Sequence, residues 1–211
     1  RHARDGKKYL YDIINIKKRQ HCVGTGGYMA KVYAFLADGF ELVEALAVVD
    51  VLRRASVEVV TVSIGSDKRV TSAQRVPVVA DTLFDENDYS DADVLFLPGG
   101  MPGTKNLEAH AGLKNILAGQ FEAGKDIAAI CAAPSVFGHL GFLEGKKATC
   151  FPGFESELKG ARYSSERVVE DGNVVTSRGM GTAIDLGLRL TARLAGEECA
   201  DKIAHSIQYI I

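Results

Sequence analysis

The sequence predicts an α/β domain, a mostly parallel sheet covered by helices on both faces. Three observations carry this expectation. Short apolar runs rich in Val, Ile, Leu and Phe alternate with segments of helical period. The opening stretch from Lys31 to Ser63 reads as strand, helix and strand, the size of one βαβ unit. A chain of 211 residues, 46% apolar and 25% charged, also has the length and composition of one globular domain with a full core.

Taken in order, Lys31-Val32-Tyr33-Ala34-Phe35-Leu36 is a strand buried on both faces. Ala37 to Phe40 turns the chain, and Leu42, Ala45, Leu46, Val49 and Leu52 recur at helical spacing from Glu41 to Ala55. Val57 to Ser63 forms the second strand. Two short β pieces flank Ser72 between Arg69 and Asp81, with Pro77 marking an edge or irregular position. Val94 to Leu97 is a third buried strand, ended by Pro98-Gly99-Gly100-Met101-Pro102-Gly103. A helix from Leu113 to Ala123 leads to the strand Ile127–Ile130, which stops on Cys131, two alanines and Pro134. Proline suits a first helical turn, where an N–H lacks a partner anyway, so a short helix follows to Leu140. Val168-Val169 and Val174 to Thr176 flank Asp171-Gly172, a hairpin signal. Helices at Thr182–Leu194 and Glu197–Tyr209 close the chain.

The net charge of -2 gives no case for nucleic acid, and no apolar run approaches a membrane span. Charge is uneven, however. Residues 1–28 carry seven Lys or Arg against two Asp, a local +5 that leaves -7 for the rest. This tail lacks the features of a signal or transit peptide and reads as a poorly ordered N-terminal extension, with one domain over 29–211. Cys22, Cys131, Cys150 and Cys199 show no CxxC spacing, which argues against a metal site and a disulfide framework and for a reducing, cytoplasmic setting.

Ligands of such sheets bind at the carboxyl ends of the strands, so the loops there carry the search. Cys131 sits where a strand turns sharply into a helix. It is either a nucleophile pushed toward thiolate by the helix start or a buried, inert thiol. Glu41 reads as a first-turn acid that complements the helix dipole. Glu44 lies among Leu42, Val43, Ala45 and Leu46, where a carboxyl group has a raised pKa and can exchange protons with a thiol. Gly99 and Gly100 let backbone approach a ligand, and the Gly100 and Ala132 N–H groups are the candidate oxyanion donors. None of the five histidines falls in these loops, His139 reading as a surface or packing residue, so Glu44 is the expected partner of the thiol. No Rossmann or Walker pattern is present.

Glu44, Pro98-Gly99-Gly100, Ala128-Ala129-Ile130-Cys131-Ala132, Pro152-Gly153-Phe154-Glu155 and Ser177-Arg178-Gly179-Met180-Gly181-Thr182 occur in order. Together they resemble the DJ-1/PfpI (ThiJ) superfamily, in its short bacterial, YajL-like branch, from Ala30 to the C-terminus. The resemblance implies a flavodoxin-like three-layer sandwich of the class I glutamine amidotransferase type and a homodimer. It also implies an easily oxidised nucleophile at Cys131 with a protonated glutamate, Glu44, beside it. Members are glyoxalases or deglycases without cofactor or metal, acting on small aldehydes and dicarbonyls such as methylglyoxal, or redox-responsive chaperones, or proteases. Ala132 stands where the protease-like branch has histidine, which disfavours protease and amidotransferase activity. Phe151 stands where better-known relatives have histidine. Gly99, Phe151 and Arg178 are the further pocket candidates, and a pocket arginine of relatives falls near Gln74 and Arg75.

Overall fold

The computed structural model describes residues 29–209; the extension expected over 1–28 lies outside the described residues. The strands are β1 (Lys31–Leu36), β2 (Glu58–Ser63), β3 (Arg69–Thr71), β4 (Pro77–Val79), β5 (Thr82–Leu83), β6 (Val94–Leu97), β7 (Asp126–Ile130), β8 (Lys147–Ala148), β9 (Arg162–Tyr163), β10 (Val168–Asp171) and β11 (Val174–Ser177). The helices are α1 (Leu42–Arg54), α2 (Gly103–Ala109), α3 (Ala111–Glu122), α4 (Pro134–His139), α5 (Ala183–Ala195) and α6 (Glu197–Ser206). Seven strands form the central sheet in the order β10-β11-β7-β6-β1-β2-β5. All its pairings are parallel except the β10–β11 hairpin. The expected fold class, a flavodoxin-like α/β sandwich, is what the chain adopts.

Strand alternation explains the two faces. Val32 and Ala34 of β1, Val94 and Phe96 of β6, and Ala128 and Ile130 of β7 share one apolar cluster with Leu52 of α1, Leu186 and Leu190 of α5 and Ile203 of α6. Tyr33, Phe35, Leu95, Leu97, Ile127 and Ala129 point the other way, onto Leu107 of α2, Leu113 and Leu117 of α3 and Phe137 of α4. A sheet buried on both faces needs apolar residues at every position, which is why the strands read as continuous runs. Gly187 lets α5 approach α1 closely, since a Cβ there would lie 2.9 Å from Val51 Cβ.

β1 and β6 are neighbours, yet the chain leaves them toward opposite sides of the sheet. That reversal opens a crevice at their carboxyl ends. The loops after β1, β6, β7 and β11 meet there. Two departures from expectation lie nearby: α2 follows the Gly-rich loop, and the β3–β4 hairpin folds back so that Gln74 accepts the Leu42 N–H at the start of α1 (3.2 Å).

Candidate active site

Cys131 ends β7 with φ +65, in the left-handed region that costs a non-glycine residue on the order of 1–3 kcal/mol. Three segments hold it there. Its N–H donates to the Ser177 carbonyl of β11 (3.0 Å), and its carbonyl accepts the Phe151 N–H (2.8 Å). The turn closes through the Ala133 N–H to the Ile130 carbonyl (3.1 Å). The thiol is therefore aimed by backbone, as the strand-to-helix elbow required.

Glu44 arrives from α1. Glu41 caps that helix by accepting the Glu44 N–H (2.6 Å), which fixes the first turn and the direction of the Glu44 side chain. The Glu44 residue is 1% exposed. Its Oε2 accepts the Gly99 N–H (3.0 Å), and its carboxyl also bonds the Cys131 thiol and the Met180 N–H. Gly99 has no room for a side chain: a Cβ would lie 2.6 Å from both Cys131 Cβ and Glu44 Oε2. Gly100, at φ +93, presents its N–H to the Cys131 sulfur, as does Ala132. The two expected amide donors thus lie at the thiol.

Burial pushes the Glu44 carboxyl up to about 7, against the hydrogen bonds from Cys131, Gly99 and Met180. Burial likewise pushes the Cys131 thiol up to about 12, followed by the charge of Glu44 and its hydrogen bond. The Ala132 and Gly100 amides oppose this. The expected depression of the thiol by the following helix is therefore corrected: α4 has six residues and starts at Pro134, beyond the elbow, and burial prevails. With Glu44 ionised, the thiol donates to the carboxylate. A protonated Glu44 withdraws the opposing charge and can donate to the sulfur instead.

The other expected residues separate. Phe151 is 47% exposed, with its ring against Gly179, whose Cβ position lies 3.2 Å from the ring and 3.7 Å from Glu44 Oε1. Arg178 turns away, its Nη1 toward the Ser165 carbonyl at 3.4 Å and its Nε buried without a hydrogen bond. Its charge acts on Cys150, whose thiol burial pushes up to about 12. Arg75 is exposed at the tip of the β3–β4 hairpin. Cys131 and Cys150 are the free cysteines among the described residues, while Cys199 is disulfide-bonded, contrary to the expectation of no disulfide. His139 is a surface group between Glu108 (2.5 Å) and Glu157 (2.9 Å). No group of His, Cys, Asp and Glu that could hold a metal occurs among the described residues.

Sequence reasoning passed over Ser177, Gly179 and Met180. Thr182 Oγ1 accepts the Gly179 N–H (3.2 Å) and pairs with Ser177 Oγ (2.7 Å), shaping the loop that delivers the Met180 N–H to Glu44. The run Ser177-Arg178-Gly179-Met180-Gly181-Thr182 was visible, but backbone roles leave no mark on residue type.

Residues 30–193 match the DJ-1/PfpI family. Protein DJ-1 homolog B of Arabidopsis thaliana is 41% identical over 77% of this chain, which spans only 37% of that protein's length. Protein DJ-1alpha of Drosophila melanogaster is 37% identical over 96% of this chain and 93% of its own. Deglycase TK1284 of Thermococcus kodakarensis is 35% identical over 72% of this chain and 91% of its own. The structure of oxidised Toxoplasma gondii DJ-1 superposes with a TM-score of 0.83 at 36% identity, covering 86% of this chain and all of that one. Plant, insect and archaeal relatives give the short bacterial, YajL-like placement no support. Sequence, sheet order and elbow agree on the wider assignment, and the chain belongs to the DJ-1/PfpI family.

Proposed function

We propose that this chain is a cofactor-independent cysteine enzyme, glyoxalase III- or deglycase-like, that converts small 2-oxoaldehydes such as methylglyoxal to 2-hydroxy acids. The observation that carries this reading is the buried bond between the Glu44 carboxyl and the Cys131 thiol, with the Gly100 and Ala132 amides at the sulfur. A carboxyl near pH 7 can give and take a proton at neutral pH. The similarity to a protein named a deglycase points the same way.

In this scheme Glu44 takes the Cys131 proton as the sulfur adds to the aldehyde carbon. A C–S bond forms, the carbonyl π pair moves to oxygen, and the two amides hold that oxyanion until Glu44 protonates it. Ionised Glu44 next removes the hydrogen on the same carbon, giving an enediol, and returns a proton to the adjacent carbon. The product is a thioester of the 2-hydroxy acid. Water cleaves it, releasing the acid and restoring the thiol. The balance is one 2-oxoaldehyde plus one water. Val43, Val76 and Val79, exposed on α1 and the neighbouring hairpin, support a homodimer.

A second reading makes Cys131 a redox sensor or chaperone switch. It is favoured by the partial exposure of Cys131 beside a carboxyl able to hydrogen-bond a sulfinic group, and by similarity to an oxidised DJ-1 structure. Lactate formation from methylglyoxal without glutathione decides between them. The wild type is expected to form lactate and Cys131→Ser to lose it. Equal, background rates in both would overturn the enzyme reading. Peroxide oxidation at Cys131 ahead of Cys150 would then favour the sensor.

A further inference from the structure

Large apolar side chains that adjoin the site groups in the chain or through a backbone bond are exposed. Met101 is 41% exposed, Phe151 47% and Met180 56%. Each adjoins a group of the site. Met101 follows Gly100 in the chain. The backbone of Phe151 bonds Cys131, and that of Met180 bonds Glu44. The charged side chains nearby are turned into their own loops: Glu41 onto the Glu44 N–H, Glu155 onto the Gly153 N–H (2.8 Å) and Arg178 toward Ser165. The exposed Phe151 ring stands beside the buried carboxyl: the Gly179 Cβ position lies 3.2 Å from that ring and 3.7 Å from Glu44 Oε1.

From this we infer that Phe151 is a specificity-determining residue, which makes the site prefer aromatic 2-oxoaldehydes, such as phenylglyoxal, to small alkyl ones. The inference rests on Cys131 being the nucleophile. The polar end of the substrate is the part that must reach Cys131, Glu44 and the two amides. Its substituent then points outward, onto the ring that packs against Gly179 one residue from Met180. Aromatic rings gain from edge or offset contact with Phe and from thioether sulfur, and a methyl group offers little surface to either. A histidine at position 151 would bring a polar, titratable ring to the same spot. This chain presents an apolar ring that gains from burial and from ring contact.

The test needs no turnover. 2-Bromoacetophenone and bromoacetone carry the same electrophilic carbon and leaving group, and differ in a phenyl against a methyl substituent. In each reaction the sulfur displaces bromide, forming one C–S bond as the C–Br bond breaks. Rates of Cys131 alkylation by both are measured by mass spectrometry at fixed pH, with N-acetylcysteine as the reference for intrinsic reactivity. The wild-type aryl-to-alkyl ratio is expected to exceed the reference ratio by about tenfold, the discrimination that one apolar contact surface supplies. Phe151→Ala should bring it back to the reference, and Phe151→Leu should leave it between. Because Phe151 is half-exposed, neither change empties the core. A wild-type ratio equal to that of N-acetylcysteine overturns the inference, and so does a high ratio that survives Phe151→Ala. Methylglyoxal and phenylglyoxal turnover is followed in parallel. Absent lactate with a high alkylation ratio sinks the glyoxalase reading and leaves the aryl preference standing. Normal turnover with a flat ratio does the reverse.

Discussion

Burying Glu44 makes the stability of the fold depend on the proton it carries. Its carboxyl, ordinarily near 4.5, is pushed up to about 7 by burial. Between those values the folded chain keeps a proton that the unfolded chain has lost. The contribution is therefore complete below pH 4.5 and disappears as pH rises through 7. A shift of that size corresponds to roughly 3 kcal/mol. Glu44→Gln keeps an acceptor for the Gly99 N–H and cannot ionise. It should match the wild type in stability at pH 5 and exceed it at pH 8.5, as read by urea unfolding at both values. A difference that does not grow with pH would show that the carboxyl is not protonated by burial. The same variant should remove the step near pH 7 from the rate of Cys131 alkylation.

Between elements, one surface contact ties together the segments that follow the site loops. His139 at the end of α4 bridges Glu108 of α2 and Glu157, just beyond the Phe151 loop. The Glu108 bond, then that of Glu157, raises the His139 pKa above its usual 6.5. Its stabilisation is whole below 6.5 and is lost as pH climbs past the folded value. The side chain is 33% exposed, so screening holds the effect to about 1 kcal/mol or less. His139→Gln in the Glu44→Gln background should cost that much at pH 6 and nothing at pH 9, measured by thermal melts. Equal losses at both values would reduce the bridge to uncharged packing. Here too the reach of the sequence can be judged. β1, β6, β7 and the β10–β11 hairpin were legible because burial on both faces and Asp171-Gly172 leave strong local marks. α2 was not, since its seven residues bury only one large apolar side chain, Leu107. β5, β8 and β9, at two residues each, exist through pairing alone. Cys131 and Glu44 were legible by type and setting. The direction of the thiol shift was not, because depth of burial belongs to the assembled fold.

For the molecule as a whole, the exposed valines set an expectation about assembly. Val79 is 69% exposed on β4, with Val43 and Val76 nearby, and isolated chains seldom leave such residues together in water. Light scattering should give a mass of about twice the 22.7 kDa chain, and Val79→Glu should shift it toward one chain. A single-chain mass for the wild type would remove the homodimer. The sheet order has one more consequence, which concerns synthesis. Glu44, Gly100, Cys131, Phe151 and Met180 come from five separate stretches, joined by crossovers that bring distant positions into register. Chains emerge from the ribosome N-terminal end first, and pairings between distant positions form late. Until β11 and the loop after it have emerged, the Cys131 N–H lacks its Ser177 acceptor and Glu44 lacks the Met180 N–H. The elbow is then incomplete, and the labelling kinetics of its thiol can serve as a clock for the completion of folding.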